Sequence, residues 1–191
     1  MDQIAKQHFD NLQSNDANLR YASFQYIINL TKQPVDWAYE VWDNLLALTK
    51  NGDNHQRTIA VQVLSNLAKS DPGQRMLKDF DKLLAVTRDE KFVTARHSLQ
   101  SLWKAAIVNK ELQKKIVQGL TKRFKECIAE KNCTLIRYDI LGVLRKIYDQ
   151  VNDEKIRNTS LALIETEDDL KYRKKYLGLW KDILKAGREK K

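Results

Sequence analysis

The sequence predicts an all-α chain built from about five repeated helix pairs, and three observations carry that prediction. Its 191 residues include only six glycines and two prolines, and strand-like alternation of apolar and polar residues is essentially absent. Apolar residues recur instead at three- and four-residue spacing almost everywhere, the period of an amphipathic helix. An arginine that opens every second helix returns after 37, 39, 41 and 36 residues.

The helices follow in order from the breaks between them. Repeat one, residues 1–32, divides at SNDAN (14–18). Repeat two, residues 33–70, enters through KQPVD (32–36) and divides at KNGD (50–53); its first helix carries Val41, Leu45 and Leu48 as one stripe, with Trp42 and Leu46 beside it. Repeat three, residues 71–108, opens at SDPGQ (70–74) and divides at RDEK (88–91). Both prolines are expected at helix starts, with Asp71-Pro72 as N-cap and first helical residue, where the missing N–H costs nothing. Repeat four, residues 109–150, opens at VNK (108–110) and divides at EKN (130–132); its first helix shows the stripe Leu112, Ile116, Val117, Leu120, Phe124 and Ile128. Repeat five, residues 151–187, opens at VNDE (151–154) and divides at TEDD (166–169). Most breaks carry the Asp, Asn or Ser whose side chain accepts orphan N–H bonds at a helix N-terminus. None has the composition of a flexible linker, so residues 1–191 are expected to form a single domain.

Aligned on the arginine, the second helices read RYASFQYIINL from Arg20, RTIAVQVLSNL from Arg57, RHSLQSLWKAA from Arg96, RYDILGVLRKI from Arg137 and RKKYLGLWKDI from Arg173. Six residues on stand Tyr26, Val63, Leu102, Val143 and Leu179; seven on stand Ile27, Leu64, Trp103, Leu144 and Trp180; ten on stand Leu30, Leu67, Ala106, Ile147 and Ile183. Amphipathic helices alone give apolar residues at such offsets. A common period with a shared arginine requires repetition, and points to a solenoid.

A period near 40 with two helices per repeat resembles the HEAT/armadillo superfamily. Its second helix often opens with an Asp in the preceding turn and an Arg just inside, and Asp16, Asp53 and Asp169 stand four residues before Arg20, Arg57 and Arg173. Repeats three and four lack that Asp, and the first helices lack the proline that often kinks them. The resemblance covers nearly the whole chain and implies a right-handed α-α superhelix of about five HEAT-like repeats, with the second helices lining a concave face. Arg20, Arg57, Arg96, Arg137 and Arg173 are then expected to act as a structural ladder, since a guanidinium with five donors can tie one turn to carbonyls or acids of the next.

With that face inward, positions 1, 5, 8 and 12 after each Arg lie away from the buried stripe. They make the face weakly basic in the early repeats and distinctly basic later, through Lys104, Arg145, Lys174, Lys181 and Lys185, with Tyr138 and His97 between. The charge distribution agrees. Of the net charge of +9, residues 1–95 contribute −1 and residues 96–191 contribute +10. Such asymmetry points to an acidic partner. An acidic protein or peptide is the first expectation, bound by a non-catalytic scaffold. The alternative is a nucleic-acid-binding solenoid related to the HEAT-like alkylpurine DNA glycosylases, in which phosphates meet the basic groove and Tyr138 stacks on a base. Those enzymes use a catalytic Asp and aromatic residues; Asp139 and Asp149 are the nearest candidates here. Trp103 and Trp180 fall at the buried seventh position, and Trp37 and Trp42 belong to a first helix.

No Gly-rich phosphate loop, HExxH, serine elbow or paired-cysteine metal motif occurs, so no catalytic residue, cofactor or metal is expected. The three histidines, His8, His55 and His97, lie far apart in sequence. Cys127 and Cys133 are expected as ordinary partly buried thiols of a reducing compartment. No apolar run approaches the length of a bilayer span, and MDQIAKQHFDNLQ lacks the apolar core of a signal peptide. The expectation is a cytoplasmic protein with no membrane partner.

Overall fold

Aspartates at the breaks do much of the work of dividing the chain into helices. The structure, a computed structural model, describes residues 1–186, with side chains through Leu184. Twelve α-helices occur among them: α1 (Gln3–Asn11), α2 (Ala17–Leu30), α3 (Ala38–Asn51), α4 (Asn54–Leu67), α5 (Arg75–Val86), α6 (Phe92–Ser101), α7 (Trp103–Ala106), α8 (Lys110–Glu126), α9 (Cys133–Val151), α10 (Glu154–Glu165), α11 (Leu170–Gly178) and α12 (Lys181–Ala186). Two 3₁₀ turns, Ala68–Ser70 and Cys127–Ala129, follow α4 and α8. No strand occurs among the described residues.

Each of the nine predicted breaks contains a junction between helices. Asp2, Asp16, Asp53, Asp153 and Asp169 each cap a helix by accepting backbone N–H bonds. Asp53 forms a full capping box, in which Gln56 reaches back to the Asp53 N–H. Asn109 accepts from Leu112 N at 2.8 Å at the start of α8.

Several local expectations are corrected. Asp71-Pro72 is not N-cap and first helical residue: α5 begins at Arg75, preceded by Gln74 at a left-handed φ of 53°. Asp71 nevertheless caps that helix from outside, accepting from Arg75 N at 2.9 Å and Met76 N at 2.7 Å. Tyr39 Oη donates to Asp71 and accepts from Gly73 N at 2.8 Å, which fixes the corner. Pro34 likewise sits in a loop well ahead of α3. Ile128 is 75% exposed rather than part of the core stripe. The chain tightens into the 3₁₀ turn there, and the fully buried Cys127 takes the inward position.

The helical segments that contain Arg96 and Arg173 are each interrupted, at Leu102 and at Leu179–Trp180. Leu102 N donates to Leu99 O at 3.2 Å and Leu179 N to Tyr176 O at 3.0 Å, the shorter bonding of a 3₁₀ turn. Both interruptions come at the same offset from the Arg, immediately before or at a tryptophan.

By contacts the chain falls into two compact units, Met1–Lys115 and Ile116 onward. In the first, α1 packs on α2, α3 on α4 and α5 on α6; α4 also packs on α2 and on α6, and α3 on α5. In the second, α9 packs on α10 and α11, and α10 on α11. The third residue after each Arg proves the most uniformly buried position of the second helices. Ser23, Ala60 and Leu99 in the first unit, and Ile140 and Tyr176 in the second, are all at most 1% exposed. Ile27, Leu64, Leu144 and Trp180 at the seventh position are fully buried, one helical turn beyond. Tyr26, expected in the core, is exposed and stacks on His8 at a ring distance of 4.0 Å.

Candidate functional site

The recurring arginines bind the turns around them. Arg20 donates to Ser14 O at 2.7 Å and Arg57 to Gly52 O at 2.8 Å. Arg173 donates to Glu167 O at 2.8 Å and Glu165 O at 3.1 Å, and Arg137 to Phe124 O at 3.2 Å. Each of these carbonyls closes the preceding helix or its turn. Two of the arginines also reach forward. Arg57 grips both Asp89 oxygens, at 2.5 and 3.0 Å, and Arg137 meets Glu167 at 3.0 Å. Burial alone would raise the Asp89 carboxyl, but the hydrogen bonds from Arg57 and Lys91 N outweigh it and hold the group below its usual range. Arg96 lies over the Phe92 ring at 5.6 Å. Asp16, Asp53 and Asp169 act as helix caps.

In the first unit, predicted inner-face positions from three successive second helices line one cleft of about 420 Å³. Lys32 and Lys69, both twelve residues after their Arg, and Lys104, eight after its own, place three ammonium groups around it. Its apolar lining comes from Ile28, Trp103, Ile107 and Val108. Trp103 is half-buried, unlike the fully buried Ile27, Leu64, Leu144 and Trp180 at the other seventh positions. Lys69 Nζ donates to Lys32 O at 2.7 Å, and burial lowers its pKa. Lys32 Nζ donates to Asn29 Oδ1 at 3.1 Å. An ammonium has three donors, so each of these two lysines retains donors for a ligand. The described residues that line the cleft carry three lysines and no carboxylate. Lys104 is among the cations expected on the inner face; Lys32 and Lys69 stand twelve residues after their arginines, in the early segments where the sequence leads one to expect only weak basicity.

A second cleft of about 460 Å³ in the same unit is lined by Tyr21, Gln25, Thr58, Gln62 and His97, all at positions 1 and 5, together with His55. Two histidines distant in sequence therefore share one cleft. No group of three metal-ligating side chains occurs among the described residues.

In the second unit the anticipated cations divide. Lys174 on α11 and Lys181 on α12 are exposed. Arg145 on α9 is committed within the fold. It holds Asp182 through two bonds of 2.7 Å, Asp149 at 2.7 Å and Leu179 O at 2.6 Å, and lies over the Trp180 ring at 5.6 Å. These carboxylates push the Arg145 pKa upward, and the Arg145 hydrogen bonds lower Asp182 to about 2. Tyr138 is half-buried, and Lys175 Nζ sits 4.8 Å from its ring centroid, so one π-face is already occupied by a cation. The side chain of Lys185 lies outside the described residues. Of the aspartates weighed for catalysis, Asp149 is paired with Arg145 and Asp139 is buried in α9.

No family model matches the chain, and none of the curated proteins compared matches it. No described helix is long and apolar enough to cross a membrane.

Proposed function

We propose that this chain is a non-catalytic, HEAT/armadillo-like repeat scaffold, a right-handed α-α superhelix, that binds an acidic segment of a partner protein. The cleft formed by Lys32, Lys69 and Lys104 over Ile28, Trp103 and Ile107 carries this reading. Three cations around an apolar floor match a peptide that presents carboxylates on either side of a leucine or aromatic residue. Burial of that side chain supplies affinity, and the lysines supply orientation and association rate. Exposed Lys174 and Lys181 extend the attraction for acidic chains in the C-terminal half, while the arginine ladder keeps successive turns in register. The cleft volume suits side chains; a duplex presents a broad phosphate surface with no apolar group to fill such a floor.

Fluorescence anisotropy with a labelled Asp/Glu-rich peptide containing one central Phe, and with short DNA and RNA duplexes, separates the partner classes. Peptide affinity in the micromolar range, about −8 kcal/mol, is expected, weakening several-fold on raising the salt. Duplex binding with a steep salt dependence and no peptide binding would favour the nucleic-acid reading. Silence from both probes would contradict an acidic partner altogether.

A further inference from the structure

The corner between α8 and α9 brings together two thiols that lie six residues apart. Glu130 N donates to Cys127 O at 2.8 Å, and Cys133 N donates to Glu130 O at 3.0 Å, so the backbone doubles back tightly. Arg123, with a fully buried side chain, locks the same turn through two bonds to Glu130, at 2.5 and 2.7 Å. The result is a Cys127 Sγ to Cys133 Sγ separation of 2.8 Å between two free cysteines. A disulfide needs the sulfurs at about 2.05 Å, so bonding here calls for closing a short remaining gap between them.

We propose that Cys127 and Cys133 are a redox modification site that closes to an intramolecular disulfide when the protein meets a hydroperoxide. The two sulfurs differ in access. Cys127 is fully buried, and burial first, then its contact with Cys133, pushes its thiol up to about 12; Cys133 is partly exposed. Cys133 is therefore the sulfur that meets the oxidant. Its thiolate attacks a peroxide oxygen and the O–O bond breaks; with hydrogen peroxide this gives the Cys133 sulfenic acid and hydroxide, which takes up the proton the thiol released and becomes water. Cys127 sulfur then attacks Cys133 sulfur, the S–O bond breaks, and hydroxide leaves with the Cys127 proton as a second water. One peroxide thus accepts the two electrons given up by the two thiols. The product ties the 3₁₀ turn after α8 to the first residue of α9, and a thiol reductant reverses it.

Peptide mapping tests this directly, because trypsin cuts after Lys125, Lys131 and Arg137 and places the two cysteines in separate peptides. Reduced full-length protein is treated with equimolar hydrogen peroxide, unfolded and blocked with N-ethylmaleimide in denaturant, and digested without reductant. Peptides 126–131 and 132–137 are expected joined, with an intact mass lower by two hydrogen atoms and no alkylation at either cysteine. In Cys127→Ser the Cys133 sulfenic acid is expected to persist and to be trapped by dimedone; in Cys133→Ser, Cys127 is expected to remain alkylatable only after unfolding. Two thiols still alkylatable after peroxide would overturn the proposal. So would a Cys133 that advances to sulfinic acid without cross-linking, or a disulfide found only between chains.

Discussion

At the scale of single residues, two buried tryptophans make a clean comparison. Trp42 is fully buried and its indole N–H donates to Asp79 at 3.0 Å, whereas the equally buried Trp180 N–H has no acceptor among the described residues. Replacing Trp42 by Phe leaves the Asp79 carboxylate short of a donor, while the same change at Trp180 removes an unpaired donor. Trp42→Phe is therefore expected to cost about 1–2 kcal/mol more than Trp180→Phe, measured by urea unfolding. Equal losses would show that the Trp42–Asp79 bond contributes nothing. The Arg145–Asp182 pair gives a pH prediction. Asp182 is held to about 2 by Arg145, below its unfolded value near 3.9, so whatever stability the pair adds is fully present above the unfolded value. That stability fades as the pH falls through the folded value. Asp182 is largely exposed, and the contribution is small. In a carboxyl-detected NMR titration, Arg145→Gln is expected to raise the Asp182 midpoint toward the ordinary aspartate range; an unmoved midpoint would contradict the pairing. Neither contact was legible in sequence, because Asp79 lies 37 residues from Trp42 and Asp182 lies 37 residues from Arg145.

Helices and their ends were the most legible level, since periodicity and capping are local. The aspartates that mark the breaks in sequence are the side chains that accept the N-terminal amides. Asp53→Ala is expected to cost about 0.5–2 kcal/mol through loss of its capping box. Asp71→Ala is expected to cost more, because it removes two amide acceptors together with the partner of Tyr39. Thermal unfolding of the two variants checks the order, and a more stable Asp71 variant would refute the corner described here. What escaped prediction was the start of α5 three residues later than the Pro rule implies, the turn at Ile128 and the interrupted helices at Leu102 and Leu179. Each is a place where 3₁₀ bonding or a left-handed residue shifts the register, which the apolar pattern alone does not encode. The fully buried third position was visible all along as Ser, Ala, Leu, Ile and Tyr, a set too mixed in polarity to read as core.

At the scale of the whole molecule, the charge count points to residues 96–191, yet the cleft that gathers Lys32, Lys69 and Lys104 lies in the first unit. Net charge summed along the chain hides a cluster assembled across it. Arg145 illustrates the converse: a cation at an inner-face offset is spent on neighbouring acids once α12 is in place. In the proposed function, Lys32, Lys69 and Lys104 act together on the acidic segment. The most direct measurement is anisotropy of the labelled acidic peptide against the wild-type protein and the Lys32→Glu/Lys69→Glu/Lys104→Glu variant, with helicity matched by circular dichroism. The predicted result is at least a tenfold loss of affinity, about 1.4 kcal/mol, in the variant. Unchanged affinity in a folded variant would place the acidic partner elsewhere and contradict the claim.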